Sequence, residues 1–198
     1  YIGTFMSEFD KGKKEKQDIV IKNNNEFWII YIGTLGLSYD IKTLIAAYKI
    51  LLNKGLKNVK LKILGRGPSE QSLRQYAHKI NADVDFLGYK EYGEMAAYLS
   101  KSDVAINAIK KNAAQSIINK VGDYFSAGLP VLNGSLCKEM QQLIIDYECG
   151  KNYVPENEID LANKIEELYH NEGRREIMGR NSRKLAELKF DREETYKK

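Results

Sequence analysis

Cysteine and histidine are scarce in this sequence, two of each in 198 residues. Cys137 and Cys149 have no Cys or His partners at metal-ligand spacing, and His78 and His170 fall in ordinary amphipathic runs. A zinc site and a disulfide framework are therefore not expected, and a reducing cytosol is the expected compartment. No run reaches the roughly 18 apolar residues that a membrane span needs, and nothing resembles a signal peptide. A charge excess of one sign is also missing. The 31 basic residues face 27 acidic ones, a net charge of +4, and many of the excess lysines lie near the ends (Lys11, Lys13, Lys14, Lys16; Lys197, Lys198). A nucleic-acid surface requires basic residues clustered with aromatics on one face, so no nucleic-acid partner is expected.

What is present suits one domain. Hydrophobic residues make up 43% of the chain, enough for a sizeable core at this length. The sequence opens at Tyr1, in mid-element, and reads as a piece of a longer protein. Residues 11–25, KGKKEKQDIVIKNNN, are charged and Asn-rich and read as a linker or weakly ordered lead-in. FWIIYIG (27–33) is a short apolar run rich in aromatic and β-branched residues, as in a strand buried on both faces. Ile41, Leu44, Ile45, Tyr48, Leu51 and Leu52 then recur at helical spacing, with Gly55 as a stop.

The alternation continues. Strands are predicted at 59–65, 84–88, 103–109, 130–133 and 150–154. Helices are predicted at 69–80 (with Ser69 as N-cap), 91–102, 117–127 and from about 138, followed by two helical stretches over 157–188. Regular βα alternation implies an α/β fold, a doubly wound parallel sheet with helices on both faces. Ligands of such sheets bind at the carboxyl ends of the strands.

Four loops follow strands toward that edge. In GTLGLSYD, Gly33 and Gly36 flank Thr34 and permit a tight turn and close approach to a ligand, although a plain turn explains them too. GRGPSE carries Gly65, Arg66 and Gly67 but has Glu70 where a dinucleotide fingerprint needs a third glycine; Arg66 is either a phosphate ligand or a surface side chain. GYKEYGE places Tyr89 beside Lys90, as at the border of a base or in any loop. KKNAAQSIINK leads into a helix whose start near Ser116 offers backbone N–H groups to an anion such as a diphosphate, with Lys120 adding a full charge; a plain N-cap and a solvated lysine are the alternative. Asp123 either gains from the dipole of its helix or faces the cleft, where its two oxygens can accept from vicinal hydroxyls, as on a ribose. Gly122 costs the helix about 1 kcal/mol relative to alanine, which suggests that something approaches closely there.

Together, YIGTLGLSYDIKTLIAAYKIL, LKILGRGP, VDFLGYKEYGEMAAYLSKSDVAI and SIINKVGDYFSAGLPVL followed by CKEMQQLIIDYECG resemble the C-terminal, donor-binding half of GT-B-fold glycosyltransferases. The similarity is greatest to the retaining family-four enzymes of bacterial polysaccharide assembly, capsule or lipopolysaccharide. It implies an interdomain link over 1–25, a nucleotide-sugar-binding Rossmann-like domain over 26–188 and a C-terminal helical tail over 189–198. The family pattern of two acids falls on Gln115, implying contact with the donor sugar, and on Asp123, implying contact with ribose. Many relatives direct an arginine and a lysine at the diphosphate from the positions of Thr34 and Tyr39. For this chain the resemblance implies Lys120 in that task, with backbone N–H groups around Ile117, Ile118 and Asn119.

The resemblance implies transfer of a sugar, with retention, from a UDP-sugar to a saccharide or lipid-linked acceptor, with Lys120 and Gln115 in catalysis. Arg66, Gly67, Tyr89, Lys90 and Ser116 complete the donor site. It implies no metal and no cofactor beyond the donor, and no transfer by this chain without an N-terminal acceptor domain. It also raises peripheral association of the full-length protein with the inner face of the cytoplasmic membrane. An epimerase-like GT-B domain and a non-catalytic interaction module are the alternatives.

Overall fold

The apolar run after the lead-in forms β1 (Phe27–Ile32), whose six residues are all buried. The computed structural model describes residues 4–113 and 119–192. In it β1 pairs in parallel with β2 (Val59–Leu64) on one side and β4 (Val104–Asn107) on the other. β3 (Asp85–Gly88) lies outside β2, while β5 (Val131–Asn133) and β6 (Gly150–Asn152) continue beyond β4. The order is β3-β2-β1-β4-β5-β6 and every pair is parallel. The chain therefore reverses direction across the sheet between β1 and β4, which opens a crevice above their carboxyl ends.

Alternation along β1 divides the core. Phe27, Ile29 and Tyr31 face α2 (Ile41–Asn53), α3 (Glu70–Lys79) and α7 (Glu158–His170). Ile30 and Ile32 face the other layer, which holds α4 (Tyr92–Lys101), α5 (Lys120–Ser126), α6 (Lys138–Asp146) and the end of α8 (Glu172–Leu185). The expected doubly wound α/β sheet is thus the observed one. Ser69 takes the N-cap position of α3 without a side-chain cap bond. No helix among the described residues is long and apolar enough to cross a membrane.

The lead-in differs from its expected form. Residues 6–16 are a helix, α1 (Met6–Lys16), so the first part of the stretch 11–25, expected as a linker or weakly ordered lead-in, is helical. Its buried residues are Met6 and Phe9, ahead of the lysine-rich stretch, and its lysines gather in the last turn, where the helix dipole favours them. Phe9 meets Tyr92 edge-on at 6.3 Å. A Cβ on Gly12 would lie 2.6 Å from Cα of Gly93, so α1 and α4 touch backbone to backbone. Val20, farther along the lead-in, is buried beside Trp28.

At the far end, α8 passes into a π-helical turn (Ala186–Phe190). The Thr4 N–H donates to the Phe190 carbonyl at 2.7 Å, and the Arg192 N–H donates to the Thr4 carbonyl at 3.1 Å. The first and last described segments therefore run side by side, against α5. This explains Gly122: a Cβ there would stand 3.0 Å from Oγ1 of Thr4.

Candidate functional site

Two strand ends open the site. β1 turns at Gly33, with φ +125°, and β2 turns at Gly65, with φ +134°. A Cβ on Gly65 would fall 1.9 Å from the Gly33 carbonyl oxygen. Only glycine lets the two turns lie in contact. The following loops are laced together, since the Leu35 N–H donates to the Arg66 carbonyl at 2.9 Å and the Ser69 N–H to the Leu35 carbonyl at 2.9 Å.

Above them lies a cavity of about 600 Å³, a size suited to a small organic ligand. Ile32, Gly33 and Thr34 line it from β1, and Leu64, Gly65 and Arg66 from β2. Tyr89 and Lys90 come from the loop after β3, Met95 from α4, and Lys120 and Asp123 from α5. The tyrosine is 65% exposed. The Lys90 ammonium already pairs with Glu94 at 2.8 Å, and that hydrogen bond holds its pKa above the usual lysine value.

Lys120 is placed differently. The residue retains some exposure, but its Nζ is buried and, among the described residues, has no hydrogen-bond partner. The amine sits 4.0 Å from the centre of the Tyr31 ring and 4.2 Å from that of Tyr39. Burial without a counter-charge holds its pKa well below the ordinary lysine range. Tyr39, where the resemblance places a lysine in many relatives, thus lies against the one lysine that α5 brings to the same place.

The Asp123 carboxylate is held from outside the cavity. The Thr4 hydroxyl donates to Oδ1 at 2.8 Å and the Tyr92 hydroxyl donates to the same oxygen at 3.1 Å. Burial raises the pKa of this acid against the lowering effect of those two bonds and of Arg192. Asp123 also borders a smaller cavity of about 210 Å³, with Thr4, Glu8, Tyr92, Asn119 and Arg192.

Of the residues expected from sequence, Gly33, Thr34, Arg66, Tyr89, Lys90, Lys120 and Asp123 share the large cavity. Gly36 and Gly67 do not line it. The bare Cα of Gly67 is accounted for by packing, since a Cβ would meet the Leu35 carbonyl oxygen at 2.4 Å. Asn119 lines only the smaller cavity. Gln115, Ser116, Ile117 and Ile118 lie outside the described residues. The helix start expected near Ser116 lies outside the described residues too; α5 is described from Lys120, with Asn119 ahead of it and no side-chain cap bond. Sequence reading missed Tyr31 as a flank of the lysine, Met95 in the wall, and Thr4 and Tyr92 as the partners of Asp123. Nothing local to those residues signals the contacts, because each partner comes from a different element.

The fold and the cavity define a doubly wound, Rossmann-like α/β domain with a ligand crevice at its topological switch point. Residues 12–185 match the glycosyl transferases group 1 family, and the chain belongs to that family. It is 24% identical over 184 residues to the capsular polysaccharide biosynthesis glycosyltransferase CapM of Staphylococcus aureus, covering 92% of this chain and 47% of that protein. Among solved structures, Anabaena HepE in complex with UDP aligns with a TM-score of 0.78 at 18% identity, over 96% of this chain and 52% of HepE. WaaG, a glycosyltransferase involved in lipopolysaccharide biosynthesis, aligns with a TM-score of 0.72 at 18% identity, over 92% of this chain and 48% of its own. The chain spans about half the length of these relatives.

Proposed function

We propose that this chain is the nucleotide-sugar-binding half of a retaining glycosyltransferase, which moves a sugar from a nucleoside-diphosphate donor, a UDP-sugar, to a saccharide or lipid-linked acceptor. The observation that carries this reading is the buried amine of Lys120, without a hydrogen-bond partner among the described residues, in the wall of a ligand-sized cavity and with a carboxylate one helical turn away. An amine from which no described residue accepts a hydrogen bond, in the wall of a ligand-sized cavity, suits an anionic ligand. HepE, which shares the fold, has been solved with UDP and with UDP-glucose, and CapM acts in capsular polysaccharide biosynthesis; both support the choice of donor and the class of product.

In this reading the diphosphate lies against Lys120 and the turns at Gly33 and Gly65. Asp123 takes the ribose: its two protein donors both address Oδ1, so Oδ2 is left for vicinal hydroxyls among the described residues. Arg66 and Tyr89 border the base, and Gln115 contacts the donor sugar. As the sugar leaves, negative charge grows on the departing diphosphate. An ammonium fixed beside the departing phosphate stabilises that charge more than it stabilises the intact donor, which lowers the barrier. The acceptor is held with a further domain, at the inner face of the cytoplasmic membrane.

Titration calorimetry of the folded chain with UDP and UDP-sugars tests the assignment. Binding is expected, weakened about tenfold to a hundredfold by Lys120→Ala and by Asp123→Ala, the range for losing a hydrogen bond to a charged group. A well-folded sample that binds no nucleotide refutes it.

A further inference from the structure

The surroundings of the Lys120 amine are aromatic faces rather than acceptors. The Tyr31 and Tyr39 rings meet edge-on, with centroids 6.2 Å apart at 68°, and Nζ lies within 4.2 Å of both ring centres. The Tyr31 ring and the Tyr39 backbone are each anchored independently of the lysine. Tyr31 is fully buried on β1 and its hydroxyl donates to the Thr34 carbonyl at 2.9 Å. Tyr39 forms an antiparallel bridge with Ile109. A π face attracts a cation without offering a hydrogen-bond acceptor or a formal negative charge.

The titratable and charged groups around the amine come from every side of the cavity. They are Tyr31 on β1, Tyr39 ahead of α2, Asp123 and Tyr124 on α5 itself, Arg66 and Lys90 on the opposite loops, and Tyr153 next to Tyr31. Among the described residues none accepts a hydrogen bond from Nζ. Asp123, the nearest acid in sequence, has its carboxylate turned to Thr4 and Tyr92.

We propose that Tyr31 and Tyr39 are positioning residues that form an aromatic seat for the Lys120 amine, so that the donor diphosphate is its ionic partner and its arrival draws a proton from solvent onto Nζ. The inference rests on the donor-site reading above. The proton balance is simple: the free amine and one solvent proton give the ammonium, which pairs with the diphosphate. Burial lowers the pKa of the amine before the ligand arrives, and the ligand's charge raises it again. UDP at pH 8.5 supplies no proton of its own, since a terminal phosphate ionises near about pH 6.

Calorimetric titration of the full chain with UDP at pH 8.5, in buffers of different ionisation enthalpy, reads the proton directly. About half to one proton taken up per UDP is expected for the wild type, and essentially none for Lys120→Met. Tyr39→Phe keeps both affinity and uptake, because the ring face remains. Tyr39→Leu binds about fivefold to tenfold more weakly, the scale of a desolvated cation–π contact. UDP binding that depends on Lys120 but takes up no proton, or that Tyr39→Leu leaves unchanged in affinity and uptake, overturns the seat and leaves the donor-site reading standing. Absence of UDP binding overturns both. If Tyr39→Leu does not fold, the wild-type uptake alone decides.

Discussion

Replacing Lys120 with methionine is expected to stabilise the protein while weakening its ligand. Methionine keeps the length and flexibility of the stem and removes the amine. The wild type bears the cost of an amine whose Nζ is buried and, among the described residues, unpartnered. Desolvating a charge costs several kcal/mol even after relaxation, and unpaired burial of a neutral amine still costs about 1–3 kcal/mol. Contacts with the Tyr31 and Tyr39 rings at 4.0 and 4.2 Å return part of it, at about 1–2 kcal/mol each. The balance favours methionine by about 1–2 kcal/mol, which raises the melting temperature by about 2–8 °C for a domain of this size.

The pH dependence makes this prediction specific. An amine with a lowered pKa binds fewer protons in the folded than in the unfolded state. Stability of the wild type therefore rises with pH between the lowered value and the ordinary one of 10.5. Below that window the full penalty applies, and above it the ionisation part vanishes. The advantage of Lys120→Met is thus largest at the acid side of the window and shrinks toward pH 10. Thermal melts of both proteins across that range, with and without UDP, provide the assay; UDP is expected to stabilise the wild type more. A variant that melts at or below the wild type at neutral pH, with a difference that does not change as pH rises, refutes the reasoning.

Two further predictions concern the scaffold. Gly65→Ala is expected to cost about 3 kcal/mol or more in a urea melt, because a Cβ would overlap the Gly33 carbonyl at a positive φ. Asp10→Asn breaks a two-pronged pair, in which Nη1 and Nη2 of Arg183 donate to the Asp10 carboxylate at 2.8 and 2.7 Å. Both partners are only half-buried and solvent screens the pair, so the loss near neutral pH is about 0.5–1 kcal/mol. The hydrogen bond from Arg183 holds the Asp10 pKa below its usual value. The pair's stabilisation is therefore present above the ordinary aspartate pKa and lost as pH falls through the lowered one, so wild type and variant converge in acid urea melts.

Much of the fold was legible because burial in a parallel sheet leaves a local mark. The run Phe27 to Ile32 is apolar at every position since helices cover both faces. The spacing of Ile41, Leu44, Ile45, Tyr48 and Leu51 reports one buried helix face. Where the mark is weak, reading failed: α1 buries only Met6 and Phe9, and its lysines give it the composition of a linker. Gly67 was read as a ligand residue because a glycine loop near a strand end looks the same whether it approaches a ligand or another backbone.

The sequence by itself determined the alternation of strand and helix, the loops that gather at one edge of the sheet, and the chemistry that Lys120 and Asp123 bring there. Periodicity carries that information since each residue's face is set by its neighbours along the chain. Only the tertiary structure decided that the Lys120 amine lies between Tyr31 and Tyr39 with no acceptor among the described residues, and that Thr4, 119 residues away, holds Asp123. Those contacts join β1, a loop, α5 and the segment before α1. They form only when strand order brings separate elements together, and it is there that a lysine amine is buried against two aromatic rings.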